Sequence, residues 1–446
     1  MIILNKKVFF VSLGCDKNLV DSEVMLGILA DNSFSITADE TEADVIVVNT
    51  CSFIHDAKEE SIETILEMAE HKKTGKCKAL IVTGCLSERY KDELFTELPE
   101  IDGAIGTSNY DEILEVINQA LENGRCSSFS DINYSPDLKS KRMVSPTTAF
   151  AYLKIAEGCN NNCTYCIIPK LRGVYRSRKL EDLILEAEQL VEMGKKEIIL
   201  VAQDTTKYGM DLYGKRMLPK LLKQLAEVEG LEWIRLLYCY PEDITDELIN
   251  TIKTEKKVLP YIDIPIQHIN NRILNNMARL SNRATIENVI NKLRNEIPDI
   301  CIRSTLIVGF PGETEEEYIE LRDFVEKTKL NRLGVFTYSL EEGTPAAEMD
   351  MQIQEDVKKK RQEEIMIIQQ EISFQNNEAL IGKSIDVIVE GYLPEEEVYC
   401  GRSYMDAPNV DGMVFFKSSF ELLTGQIINV EIVQAQEYDL IGEAGE

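Results

Sequence analysis

The sequence predicts an α/β protein in three successive units: an N-terminal βαβ open parallel sheet over residues 5–125, a central partial (β/α)6 barrel over 149–380 that follows a linker at 126–148, and a small β-barrel over 381–446. Three observations predict it. An apolar β-prone run, a small turn residue and a cysteine recur in that order three times within the first 85 residues, with helical patterns between them. From residue 150 to residue 337, six strand-like runs alternate with helical ones. Past residue 381, short β-prone runs separated by turns take over.

A chain of 446 residues is long for one hydrophobic core, so two or three domains are expected. No apolar run approaches the length of a membrane span, and the opening Met1-Ile2-Ile3-Leu4-Asn5-Lys6-Lys7 lacks the layout of a signal peptide, which predicts a soluble cytoplasmic protein. Eleven cysteines, an odd number, then argue for reduced thiols and metal ligation over a disulfide framework. The 77 acidic and 48 basic side chains give a formal charge of −29. Affinity for nucleic acid rests largely on Lys and Arg neutralising phosphates, so nucleic acid is not expected as a direct substrate, whereas a basic protein would be attracted.

In the first unit the three repeats are Val8-Phe9-Phe10-Val11-Ser12-Leu13-Gly14-Cys15, Val45-Ile46-Val47-Val48-Asn49-Thr50-Cys51 and Ala79-Leu80-Ile81-Val82-Thr83-Gly84-Cys85. Helical patterns at 22–30 and 57–71 make the alternation βαβαβ with parallel strands. Parallel strands end on one edge, where open α/β folds place their ligands. Cys15, Cys51 and Cys85 are therefore expected to meet there, as three ligands of a metal cluster that leaves one position open. Cys77 and Cys126 have no such placement. A polar stretch carrying Pro136 and Pro146 marks the linker.

The central unit opens on the strand Phe150-Ala151-Tyr152-Leu153-Lys154-Ile155, which delivers Gly158-Cys159-Asn160-Asn161-Asn162-Cys163-Thr164-Tyr165-Cys166. Three cysteines within eight residues, spaced Cys-x-x-x-Cys-x-x-Cys, can converge on one centre, and iron–sulfur clusters are the centres most often held by cysteine alone. A closed zinc site would need a fourth ligand, and His55, His71 and His268 are all distant in sequence. Further strands are expected at 197–202, 233–238, 261–264, 301–308 and 333–337, with helices such as 180–193 and 314–327 between them and a charged helix over 354–380 closing the unit.

With its aromatic Tyr165, the Cys159-x-x-x-Cys163-x-x-Cys166 motif resembles the signature of radical S-adenosylmethionine (SAM) enzymes. The resemblance implies a 4Fe-4S cluster whose open iron takes SAM. The first unit is similar to the N-terminal domain of the methylthiotransferases, a branch of that superfamily, which implies a second, auxiliary 4Fe-4S cluster on Cys15, Cys51 and Cys85. Ser12-Leu13-Gly14-Cys15-Asp16-Lys17-Asn18-Leu19-Val20-Asp21-Ser22-Glu23 resembles the members that act on a ribosomal protein, the RimO family, with Asp16 where proline is common. So do Pro265-Ile266-Gln267-His268 and the run from Gly401 to Gly412. The last unit resembles the TRAM domain.

The family implies that SAM is contacted by the loops after the second and fifth strands. These carry Gln203 and Thr205, and Gly309 and Gly312; Tyr165 and Arg176 beside the cysteine loop join them. His268 is expected to touch substrate, since imidazole can donate to or accept from a carboxylate. The implied activity is methylthiolation of the β-carbon of an aspartate in small-subunit ribosomal protein S-twelve, free or on the ribosome, with electrons from an external donor. The TRAM-like segment holds 13 acidic and 3 basic residues, which suits a basic protein better than RNA. A tRNA adenosine methylthiotransferase and a non-enzymatic iron–sulfur scaffold or redox sensor stay open as alternatives.

Overall fold

The computed structural model describes residues 6–134, 136 and 142–445. The chain forms two compact units that are not contiguous in sequence: one comprises Met1–Val144, Glu157–Arg176 and Ser339–Ala347, the other Ser145–Ala156, Ser177–Tyr338 and Glu348–Glu446.

The first unit is built on a six-stranded parallel sheet of β1 (Lys7–Ser12), β2 (Ser35–Ile36), β3 (Val45–Thr50), β4 (Ala79–Gly84), β5 (Gly103–Ile105) and β6 (Cys126–Ser128), in the order β2-β1-β3-β4-β5-β6. β3 and β4 are buried at all six positions, as their continuous apolar sequences require of central strands covered on both faces. One face packs Val24, Met25 and Leu29 of helix α1 (Asp16–Asp31) with Ile113, Val116 and Ile117 of a later helix; the other packs Ile65 and Met68 of α2 (His55–Thr74). β6 lies inside the segment predicted as linker, a correction at its first three residues: Cys126-Ser127-Ser128 is too short and polar to show a strand period, and it forms because β5 offers an edge to pair with.

In the second unit β7 (Phe150–Lys154) starts another parallel sheet. A two-stranded ribbon, β8 (Ala156–Glu157) with β9 (Arg176–Ser177), closes the base of the cysteine loop. The sheet continues with β10 (Glu197–Val201), β11 (Trp233–Leu236), β12 (Val258–Gln267), β13 (Cys301–Val308) and β14 (Arg332–Thr337), each beside its sequence neighbour. β7 and β14 remain as edges, so the six-stranded (β/α) barrel is open, as predicted. The helix Glu355–Glu378 buries Lys358, Arg361, Ile365, Gln369 and Ile372, a stripe at three- and four-residue spacing that packs on β14. The five strands β15 (Ser384–Leu393), β16 (Val398–Ser403), β17 (Val414–Lys417), β18 (Ile427–Ala435) and β19 (Leu440–Ala444) form a closed barrel.

That barrel is joined to the sheet by a buried charge cluster. Arg235 on β11 donates from Nε to Glu197 on β10 at 2.7 Å and from Nη1 to the Tyr404 carbonyl at 2.6 Å, and Arg402 on β16 pairs with the other Glu197 oxygen at 2.7 Å. All three side chains are fully buried. Among the described residues no helix is long and apolar enough to cross a membrane.

Candidate functional site

The first unit brings its three expected ligands to one edge because its strands are in register. Ser12 is level with Asn49 and Asn49 with Thr83, so the chain leaves three adjacent strands side by side and Cys15, Cys51 and Cys85 follow within three residues. Gly84 makes this possible in β4. At φ +93° it turns the chain so that Cys85 opens helix α3 (Cys85–Tyr90), and a Cβ there would lie 2.3 Å from the Asn49 carboxamide oxygen. Gly14 is as tight: a Cβ would lie 2.8 Å from that of Cys51.

Asn18, on the first turn of α1, ties these turns together. Its Nδ2 donates to the carbonyls of Leu13 (3.1 Å) and Thr50 (2.9 Å), and its Oδ1 faces the Cys85 sulfur at 3.9 Å. Ser61 clamps Cys51, accepting from its amide at 3.0 Å and donating to its carbonyl at 2.9 Å. Cys15 is exposed, while Cys51 and Cys85 are buried. Burial pushes the Cys51 thiol up, and the Cys85 thiol up to about 12 against the pull of the neighbouring Arg172 guanidinium. Buried thiols of this kind become thiolates when a metal takes the proton's place.

The loop with Cys159, Cys163 and Cys166 belongs to the same unit. Cys159 donates its amide to the Gly173 carbonyl (3.0 Å), Cys166 donates to Cys163 (3.0 Å), and the Asn161 amide points at the Cys159 sulfur at 3.4 Å, the kind of N–H···S contact that iron–sulfur ligands accept. The loop runs into the short helix Ile168–Arg172, whose Ile167 and Leu171 neighbours form a buried cluster with Cys85. Arg176 donates to the carbonyls of Val174 (2.6 Å) and Arg172 (3.3 Å) and so holds the returning limb; Tyr165 stays half-buried in the loop. None of the eleven cysteines is in a disulfide. Among the described residues no three His, Cys, Asp or Glu side chains stand at the spacing of ligands to a single metal ion. An all-thiol donor set suits a multi-iron cluster, which holds its thiolates farther apart than one ion does.

In the second unit the loops expected to meet SAM lie past the carboxyl ends of β10 and β13. Thr205 is fully buried and its hydroxyl donates to the Leu237 carbonyl at 2.7 Å, fastening its loop to the neighbouring strand end. Gln203 precedes it on the same loop. Gly309 and Gly312 both have positive φ, and the Gly309 amide donates to the Glu313 carboxylate. His268, expected to touch substrate, is fully buried; Nδ1 accepts from the Asn270 amide at 3.0 Å, and Nε2 donates to Glu313 at 3.2 Å. Glu313 also binds Arg361 at 2.8 Å, so the imidazole is a strut beneath the Gly309 turn. Its neighbour Gln267 sits at φ +69° with its side-chain oxygen buried and accepting no hydrogen bond, an acceptor suited to a polar ligand at the strand end.

Sequence reasoning missed Asn18, Ser61, Arg172 and Glu313, because their partners are remote in the chain. Replacing His268 by alanine is expected to cost about 2–4 kcal/mol, through the cavity and the unpartnered Glu313 oxygen and Asn270 amide, and to weaken SAM binding with it. Thermal unfolding and SAM titration check this. A raised KM for the protein substrate at unchanged Tm would instead mark His268 as a substrate contact.

Family models divide the chain in the same order: an uncharacterized protein family, UPF0004, matches 7–106, the radical SAM superfamily 153–325 and the TRAM domain 381–444. Ribosomal protein uS12 methylthiotransferase RimO of Lachnoclostridium phytofermentans is 56% identical over 438 residues, covering 98% of this chain and all 100% of its own. The protein of that name from Thermoanaerobacter sp. strain X514 is 52% identical, with 98% and 100% covered. Among solved structures, the radical SAM methyltransferase TsrM of Kitasatospora setae, with cobalamin and a 4Fe-4S cluster bound, superposes with a TM-score of 0.54 at 14% identity, over 77% of each chain. The cobalamin-dependent radical enzyme OxsB gives 0.52 at 12% identity, over 81% of this chain and 56% of its own. Those two likenesses establish the fold. With the full-length relatives beside them, the chain belongs to the RimO family of radical SAM methylthiotransferases.

Proposed function

We propose that this enzyme adds a methylthio group to the β-carbon of an aspartate in ribosomal protein uS12, the substrate in its relatives' names. In this reading Cys159, Cys163 and Cys166 hold one 4Fe-4S cluster and Cys15, Cys51 and Cys85 a second. SAM meets the loops of Gln203–Thr205 and Gly309–Gly312. The division of labour follows 5–125 for the auxiliary cluster, 149–380 for the radical chemistry and the acidic 381–446 for a basic protein. The bound clusters and SAM supply the one-electron chemistry that an unactivated C–H bond requires and acid–base side chains lack.

The chain's own residues orient and shield. Asn18 and Ser61 fix the turns that present Cys15, Cys51 and Cys85; the amide of Asn161 meets the Cys159 sulfur; Thr205 and the His268–Glu313–Arg361 network hold the two SAM loops in shape. The observation that carries the reading is the pair of cysteine trios, one at three adjacent strand ends and one on a loop of the same unit, each a ligand short of a filled cluster.

The test is anaerobic: reconstituted, reduced enzyme is incubated in the cytoplasm-like reducing buffer with SAM and either uS12 or tRNA, and masses are compared. A methylthio mass gain on one uS12 aspartate is expected. A gain on tRNA adenosine instead, or no release of 5′-deoxyadenosine at all, overturns it in favour of a tRNA enzyme or of an iron–sulfur scaffold.

A further inference from the structure

Arg172 closes the helix that follows the cysteine loop, six residues past Cys166, and is fully buried inside the first unit. Its guanidinium leaves the loop's own neighbourhood and enters that of the other trio. Nη1 donates to Asp21 on α1 at 2.8 Å and to Glu157 at 3.1 Å; Nη2 donates to the Asn18 oxygen and lies 3.8 Å from the Cys85 sulfur. Asn18 and Asp21 stand one turn apart on α1, so the helix offers both oxygens to one fork. Just before it, the Leu171 carbonyl accepts from the Thr107 hydroxyl at 2.5 Å, which seats the short helix on the sheet unit. A buried arginine held by two carboxylates could serve folding alone; what folding does not require is a donor aimed at the sulfur of a cluster ligand.

We infer that Arg172 is a positioning residue that sets the reduction potential of the auxiliary cluster through Cys85 while fixing the loop of Cys159, Cys163 and Cys166 to the same sheet. This rests on the assignment of Cys15, Cys51 and Cys85 as ligands. Reduction adds an electron to the cluster, so a cation and an N–H donor beside one of its thiolates favour the reduced form, and their removal disfavours it. Asp21 works in the opposite sense, since its carboxylate offsets part of the guanidinium charge.

The test uses the full-length chain carrying Cys163→Ala, so that the auxiliary cluster alone gives the signal, and follows it by redox titration with electron paramagnetic resonance. Arg172→Gln is expected to shift the midpoint to more negative potential, Asp21→Asn to more positive potential, and Arg172→Lys, which keeps the charge and loses the fork, to fall between Arg172→Gln and the parent. Should Arg172→Gln fail to fold, the Asp21→Asn and Arg172→Lys shifts decide. Midpoints and line shapes unchanged in the variants that load iron overturn the inference. Failure of the ligand assignment looks different: the Cys163→Ala parent would then bind no cluster, and Cys85→Ala would change nothing.

Discussion

Replacing Cys15, Cys51 and Cys85 together by alanine is expected to lower the iron bound after anaerobic reconstitution from about eight to about four per chain. Methylthio transfer should fall to background while reductive cleavage of SAM continues. The split follows from the fold. The three thiols stand past β1, β3 and β4, on turns fixed by Asn18 and Ser61, and none lies in the loop that carries Cys159, Cys163 and Cys166. Iron analysis, 5′-deoxyadenosine release and the substrate's mass form the set of measurements. Full iron loading in the triple variant would sink the assignment, and methylthio transfer surviving without the second cluster would remove its role.

Glu197→Gln should destabilise the protein by about 3–5 kcal/mol, read from urea unfolding of the apo chain. The substitution keeps the shape and removes the one anion shared by Arg235 and Arg402, both fully buried. The Arg402 contact is a close ion pair whose angle lies outside hydrogen-bond geometry, so charge matters there more than direction. Burial alone would raise the Glu197 carboxyl, yet the two arginines hold it below its ordinary range. A carboxyl depressed on folding stabilises above its unfolded value of about 4.3 and loses that stabilisation as pH falls through its folded value. The gap between parent and variant should therefore be full at neutral pH and narrow in acid. Because Arg235 also binds the Tyr404 carbonyl, the variant should loosen the C-terminal barrel first, which hydrogen exchange on β16 can follow. A loss below about 1 kcal/mol would show that the pair does no more than a surface salt bridge.

Several parts of this architecture could be read without coordinates. Continuous apolar runs such as Val45-Ile46-Val47-Val48 announce buried parallel strands, and a cysteine behind each of three such runs follows from topology once the strands are parallel. Thr314 with Glu317 marks a helix start, and the structure shows the reciprocal capping box. β6 escaped because three polar residues carry no period, and its pairing depends on an edge made elsewhere.

Cysteine spacing, strand–helix alternation and charge were determined by the sequence alone, because they are local patterns or sums over the chain. Tertiary structure decided the rest. It placed the loop of Cys159, Cys163 and Cys166 in one compact unit with the first sheet, and joined Arg172 to Asp21 across 151 residues. It also buried His268, the expected substrate contact, and set its ring nitrogen against Glu313. The physical reason is common to all three: a buried polar group must find its partner wherever the fold brings one, and neither residue type nor spacing records where that is.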